Sequence, residues 1–446
     1  MKKAAWIIIV GLCAQAVYAQ RPLTLEESKR LALQNNGLMK NSDLETEAAR
    51  QARKAAFTSY FPTISASGFS FDAQKALMEM TSSGGNLPVY NGNPATLPLA
   101  TQFAYFPSTT TGLLKSATMG MINVVQPVFA GGRIVNGNKL ASLGVEAGEY
   151  KTDLLRNDIL LKTEEQYWLL VSLEEKLKTI GTYEAFLDSL LRQVEDAYAA
   201  GLVMKNDVLK VKIKRSELLV NKSKAENGKN LALMAFCQHL GIPFDPAMAL
   251  TDSLTSAIPD LPAHVEAAQA VKTRPEFKLL GASVRAEELQ SRMKLGEFLP
   301  QVAVGLSGLY TKSDEQKGRT IGLVYGTISI PISGWWQAAH ALKERRIREQ
   351  IAGNSLTNNS ELLLLQMEKA WQDLSDAHRQ VLLSRETKAQ AEENLKVNQD
   401  GYANGMIGVS DWLEAQALRQ QADDQWTEAL AAYRVKRMTY LQVTGR

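Results

Sequence analysis

The chain repeats itself. Tyr60-Phe-Pro-Thr-Ile returns as Phe298-Leu-Pro-Gln-Val, with Pro62 matching Pro300 at an offset of 238. Gln126-Pro-Val returns as Ile330-Pro-Ile, with Pro127 matching Pro331 at an offset of 204. Tyr198-Ala-Ala-Gly-Leu-Val then returns as Tyr402-Ala-Asn-Gly-Met-Ile, again at 204, and carries Asp207 onto Asp411 and Leu209 onto Leu413. Such a period means one structural unit used twice. The change of offset places an insertion in the first half between the two proline landmarks. There, residues 77–116 are rich in Gly, Pro, Ser, Thr and Asn, which reads as a long surface loop. One half covers 20–242 and the other 263–446. The stretch 243–262, with Pro243, Pro246, Pro259 and Pro262, reads as a linker.

Each half has the same order of elements. Short helices are expected at 24–35 and 263–273; at the first, Thr24 and Glu27 make a capping-box pattern. Second helices follow at 38–59 and 276–297. Strand pairs come next, at 62–71 with 117–128 and at 301–310 with 320–332. In 301–310, Val302, Val304, Leu306 and Tyr310 alternate with Gln301, Ala303, Gly305 and Ser307, the period of a strand with two unlike faces. In 320–332, Ile321, Leu323 and Tyr325 share one side. Long helices close each half, at 134–199 and 206–240, and at 336–403 and 410–443. The first holds 66 proline-free residues from Ile134 to Ala199, a rod of roughly 100 Å at helical rise. Leu173, Leu177, Ile180, Leu187, Leu191, Val194 and Tyr198 give it a coiled-coil seam interrupted by Glu184. Trp426, Leu430, Tyr433 and Tyr440 do the same in the last helix, interrupted by Arg437.

The N-terminus sets the compartment. Lys2 and Lys3 precede an uncharged run over 4–19, and Val17 and Ala19 suit a signal peptidase, so 1–19 reads as a secretory signal peptide. Cys237 alone is left after cleavage and cannot form an intramolecular disulfide. No later segment carries 18 consecutive apolar residues, so a membrane crossing would need strands. Each strand is near the ~9–11 residues of a tilted crossing. The competing reading is a soluble hairpin. Aromatic residues sit at all four helix–strand junctions: Phe57, Tyr60 and Phe61; Phe129; Phe298; Trp335 and Trp336. They suit a membrane-interface girdle, or equally a plug where helix becomes strand. Four strands cannot close a barrel, since the smallest outer-membrane barrels have eight. A membrane reading therefore demands several copies.

Enzyme chemistry finds no footing. His239, His264, His340 and His378 are scattered without zinc spacing. No P-loop or dinucleotide fingerprint occurs. A net charge of +3, with basic and acidic residues interleaved, leaves no nucleic-acid stripe. The chain is expected not to be an enzyme and to need no cofactor.

The order of helix, strand pair and long helix pair, given twice, resembles the TolC family of outer-membrane export channels. The residues that carry the resemblance are Pro62 and Pro300, Gln126-Pro-Val-Phe-Ala-Gly-Gly-Arg133, Pro331-Ile-Ser-Gly334, and the tips Tyr198 to Leu209 and Tyr402 to Leu413. The resemblance covers nearly all of the mature chain. It implies a fold of α-helix plus transmembrane β: a homotrimer sharing one 12-stranded barrel in the outer membrane, above a coiled-coil periplasmic tunnel. It implies partners too: a periplasmic adaptor (membrane fusion) protein, an inner-membrane pump of RND or ABC type, and outer-membrane lipid. The function implied is an exit channel for efflux or type I secretion, passing small molecules or exported protein. A periplasmic coiled-coil scaffold without a pore is the alternative.

At the tips, Gly201 and Gly405 suit the chain reversal and Asp207 and Asp411 could cap the returning helices. The resemblance makes the tips the adaptor docking region and places Asp411, Glu414 and Tyr402 at the periplasmic constriction. Asp411 and Glu414, three apart on one helix, would form acidic rings that favour cations. Ile407 stands where many family members carry an arginine, so a charged lock there is not expected.

Overall fold

The computed structural model describes residues 23–254, 258–314 and 316–446. The signal-peptide reading of 1–19 lies outside them. Two compact units emerge, and neither coincides with a sequence half. One takes the chain as far as Ala49, Val145–Val284 and Ala352–Arg446; the other takes Arg50–Gly144 and Arg285–Ile351. Each therefore draws on both repeats, and the long helices α3 (Arg133–Ala199) and α7 (Trp335–Ala403) contribute to both.

The helical unit is organised around α3, α7 and their returning partners α4 (Lys205–Leu240) and α8 (Val409–Val443). Its larger core joins Tyr167, Leu170, Phe236, Leu240, Leu374, Val381, Leu430, Tyr433 and Tyr440. A second core gathers Ile180, Tyr183, Leu187, Leu190, Val194, Val208, Val211, Trp412 and Leu413. The buried seam of α3 thus passes through Tyr183 and Leu190, where the sequence spacing gives Glu184 and Leu191. Tyr198, expected in the seam, is 46% exposed. Glu184 leaves the seam because its carboxylate reaches Lys222 on α4 at 2.6 Å. Lys229–Glu174 at 2.9 Å, Arg215–Asp188 at 2.6 Å and Lys212–Glu195 at 2.8 Å extend the same ladder. Each such pair is at least partly open to solvent and adds about 1 kcal/mol or less, so the ladder sets register more than stability.

The short helix α1 (Leu25–Asn35) is capped by Thr24, whose Oγ1 accepts from Glu27 N at 3.1 Å. α2 (Gly37–Phe57) follows. The expected counterpart of α1 at 263–273 shrinks to one turn, α5 (Ala267–Ala270), and a 3-10 turn at Val271–Thr273. Pro275 forces Arg274 into extended backbone, and Glu266 at the N-cap makes no side-chain cap bond, so neither end supports a longer helix. The linker is tied down by buried tyrosines. Tyr167 Oη donates to Asp252 at 2.5 Å, and Tyr433 Oη donates to the Pro259 carbonyl at 2.8 Å.

The strand unit holds a four-stranded antiparallel sheet in the order β1-β6-β7-β8, where β1 is Thr63–Asp72, β6 Ser116–Ala130, β7 Gln301–Ser313 and β8 Arg319–Ser329. α6 (Pro275–Glu297) leads into β7. β8 ends three residues before the expected 332, because Pro331 has no N–H for the ladder and Ile332–Gly334 turn as a 3-10 helix. The expected loop at 77–116 is a built ribbon. β2 (Met78–Ser82) pairs with β5 (Thr109–Leu113), and β3 (Gly85–Pro88) pairs with β4 (Phe103–Phe106), continuing the β1–β6 hairpin. The β-branched run Thr109–Thr111 and the aromatics Phe103, Tyr105 and Phe106 favour strands despite the turn-forming composition.

Candidate functional site

Register assigns the two faces of the sheet. Thr63 pairs with Val125, Ile64 with Val124, Val124 with Leu306, and Leu306 with Val324. Ile64, Val124, Leu306 and Val324 therefore form one row across all four strands. Rows on the same face hold Val302 with Ile328, Val304 with Gln126, and Ile122 with Ala66. Ile64 is 73% exposed, Val324 76% and Ile328 71%. Leaving such rows in water is unfavourable by about 25 cal/mol per Å2. On β7 the other face is better covered: Ala303, Ser307, Leu309 and Thr311 are half-buried and Gly305 is buried. Tyr325 lies across Gly305, where a Cβ would come within 2.3 Å of the ring. Ile321, Leu323 and Tyr325 share a side, as the alternation gave; it is the side of Gly305, and on β8 only Tyr325 is half-buried there, while Ile321 and Leu323 stay 47% and 58% exposed. The exposed face of β8 holds Val324 and Ile328 among glycines and Thr320.

All four helix–strand junctions lie at one end of this sheet, as an antiparallel ladder requires. Phe57, Tyr60 and Phe61 stack edge-on at 5.5–5.6 Å between ring centroids and remain exposed. Phe129, Trp335 and Trp336 are exposed as well, Trp336 at 83%. Phe298 departs from the girdle expectation, being 8% exposed. Its ring lies against Gly334 and under Lys294, and Trp335 Nε1 donates to its carbonyl at 2.9 Å, so it plugs the turn from helix to strand.

The tips belong to the helical unit and are built alike. Gly201 (φ +74°) and Gly405 (φ +69°) take the left-handed conformation that glycine adopts without Cβ strain. Gly201 N and Leu202 N donate to the Tyr198 and Ala197 carbonyls at 2.9 Å. Gly405 N and Met406 N donate to Tyr402 and Gly401 at 3.0 and 2.9 Å. Both are Schellman motifs, which satisfy the last carbonyls of α3 and α7. Leu202, Met204 and Met406 stand at 73–79% exposed around them.

The candidate constriction residues divide into two sets. Asp411 and Glu414 are exposed on α8. Asp411 Oδ2 accepts from Gly408 N at 3.2 Å, so this aspartate closes the start of α8. Asp207 does not do the same for α4: Met204 is the N-cap, without a side-chain bond, and Asp207 pairs instead with Lys210 at 3.3 Å. Its position in the first turn still suits the helix dipole. Tyr402 packs on Trp412, with centroids 4.7 Å apart, and Phe186 meets Trp412 edge-on at 5.1 Å. Burial, then the negative charge of Asp207, raises the Tyr402 phenol above its ordinary pKa. Ile407 lies against Gly401, where a Cβ would meet its side chain at 3.4 Å. Apolar contact thus occupies the position at which the resemblance would put an arginine.

Sequence reasoning missed two contributors. Trp412 is 9% exposed and central to this cluster. Lys210 Nζ donates to Ser410 Oγ at 2.8 Å, joining the start of α4 to the start of α8. Alignment of the repeats carried a signal for both, since Trp412 replaces Val208 and Glu414 replaces Lys210 at the 204 offset. Among the described residues, no three His, Cys, Asp or Glu side chains are grouped to hold a metal ion.

No family model and no curated protein matches the chain in sequence. Solved structures do match in fold. CusC, a transmembrane channel, superposes with a TM-score of 0.76 at 14% identity, over 94% of this chain and 91% of its own. The open state of the MtrE outer membrane channel of Neisseria gonorrhoeae gives 0.75 at 13%, over 94% and 88%. The outer membrane protein VceC of Vibrio cholerae gives 0.73 at 13%, over 94% and 96%. The chain has the TolC-like fold of these proteins.

Proposed function

We propose that this chain is the outer-membrane exit channel of a tripartite efflux or type I secretion system. The observation that carries the reading is the open four-stranded sheet. Among the described residues its outer strands β1 and β8 have no partner on their far sides, and one face carries an apolar row, Ile64, Val124, Leu306 and Val324, across all four strands. Free edges of this length invite pairing with another chain. Joining β8 of one copy to β1 of the next satisfies both, and three copies give twelve strands, wide enough for a lumen. The apolar face then meets lipid, and the aromatics at the junction end sit at the membrane interface. In this reading the helices form a periplasmic tunnel, with Asp411 and Glu414 of three copies as acidic rings at its mouth. The Tyr402–Trp412–Phe186 stack and Ile407 hold the narrow state by apolar contact. The exposed Leu202, Met204 and Met406 around Gly201, Asp207 and Gly405 offer apolar tips to a periplasmic adaptor, and through it to an inner-membrane pump. The solved channels of the same fold support the reading.

Single-channel current through the detergent-extracted protein in a planar bilayer tests it, with an Asp411→Ala, Glu414→Ala variant alongside. Cation-selective conductance that loses its selectivity in the variant is expected. Selectivity unchanged in the variant would move the constriction elsewhere. A protein that needs no detergent and conducts nothing would leave a scaffold.

A further inference from the structure

The two free edges of the sheet carry unlike flanks whose charges agree. On the β1 side, α2 ends in Arg53 and Lys54, one turn before the exposed Phe57, Tyr60 and Phe61. Phe57 follows Arg53 by four residues and Lys54 by three, so all three share a helix face. On the β8 side, α7 begins with Trp335 and Trp336. Lys343 lies two turns below Trp336, and Arg346 three turns below Trp335, each on its tryptophan's face. Arg345 is occupied by Glu287 at 2.6 Å and Gln290 at 2.9 Å, and Arg348 by Glu344 at 2.8 Å. Arg53, Lys54, Lys343 and Arg346 have no ion pair among the described residues. The helical ends next to the sheet (50–61, 131–144, 285–300, 333–351) hold twelve basic and five acidic side chains, in a chain whose overall net charge is +3. The excess is local.

Edge-to-edge closure brings these flanks together. It sets Arg53 and Lys54 of one copy beside Lys343 and Arg346 of the next, with Glu349 a turn further along α7. Like charges so placed repel, and the seam is most stable with an anion between them. The aromatic groups lie on the sheet side of the cations, so the anion's apolar part must point toward the membrane. We propose that each seam between copies binds an anionic phospholipid. Its phosphate is held by Arg53 and Lys54 of one copy and Lys343 and Arg346 of the next, and its acyl chains lie against Phe57, Phe61 and Trp336. The inference rests on the membrane reading above.

Tryptophan quenching by brominated lipids tests it on the full chain in vesicles, with Trp336→Phe to assign the signal. Brominated phosphatidylglycerol should quench more strongly than brominated phosphatidylcholine, by a local enrichment of roughly five-fold, the order expected for a basic residue near an anionic surface. The variant Arg53→Gln, Lys54→Gln, Lys343→Gln, Arg346→Gln should bring the two lipids level. Equal quenching in the unaltered chain would overturn the lipid site while leaving the membrane reading in place. A preference that survives in the fourfold variant would overturn the assignment to these residues. Quenching by neither lipid would remove the membrane reading and the site with it.

Discussion

Replacing Asp424 with asparagine should stabilise the protein at neutral pH and above, and have little effect in acid. Asp424 lies on α8 with its Oδ1 buried and unpartnered. Burial pushes its pKa from 3.8 up to about 6; Lys176 opposes this, and Glu428 and Asp423 add to it. Its neighbours are already engaged: Asp423 pairs with Lys388 at 3.0 Å, and Lys176 pairs with Glu428. The sign follows from linkage. Between 3.8 and about 6 the unfolded chain releases this proton while the folded chain keeps it, so stability falls as pH rises through that window and is level above it. The rise from 3.8 to about 6 corresponds at most to ~3 kcal/mol. Partial exposure screens the charge, and about 1–2 kcal/mol is the reasonable expectation. Asparagine removes the ionisation and keeps the shape. Val220 occupies the corresponding place in the first repeat, so the fold accepts an uncharged side chain there. Guanidinium unfolding followed by far-UV circular dichroism, at fixed protein concentration in detergent, measures the difference. The gain should appear as pH rises through the window. A variant no more stable than the parent above about pH 6, or one whose gain persists unchanged well below 3.8, would refute the reasoning.

Two further outcomes follow from the tips. Trp412→Ala removes a buried ring packed against Tyr402 and Phe186 and should cost about 3 kcal/mol; the same variant should widen the mouth and raise single-channel conductance. Gly405→Ala meets no atom within 4 Å, so it should cost only the left-handed backbone term of about 1–2 kcal/mol, read from the same unfolding curves.

Much of the architecture was legible because it rests on spacing. Long proline-free rods, a duplicated strand pair and paired glycine tips each follow from local chemistry, and Gly201 and Gly405 take the positive φ that their place implied. What escaped depended on partners distant in sequence. The α3 seam moved from Glu184 to Tyr183 because Lys222, on another helix, claims the glutamate. Phe298 left the girdle because Gly334, from the following turn, leaves space for its ring. The ribbon at 77–116 was hidden by composition, since its Gly, Pro and Asn mark bends between strands that are themselves short. At the candidate site, the exposed carboxylates were legible as a helix-face pair, while Trp412 and Lys210 needed the packing of α8 on α3 and α4.

The open sheet is expected to close only with two further copies. Cysteines placed at Ser65 on β1 and Thr327 on β8, with neighbouring positions scanned for register, test it by oxidation in the native membrane. Within one chain the two edges are three strand spacings apart, roughly 14 Å, beyond the ~7 Å a disulfide spans. Cys237 is buried and does not compete. A covalent ladder that ends at the trimer is the expected result. Monomers alone at every register, or a ladder that continues past three, would contradict the account.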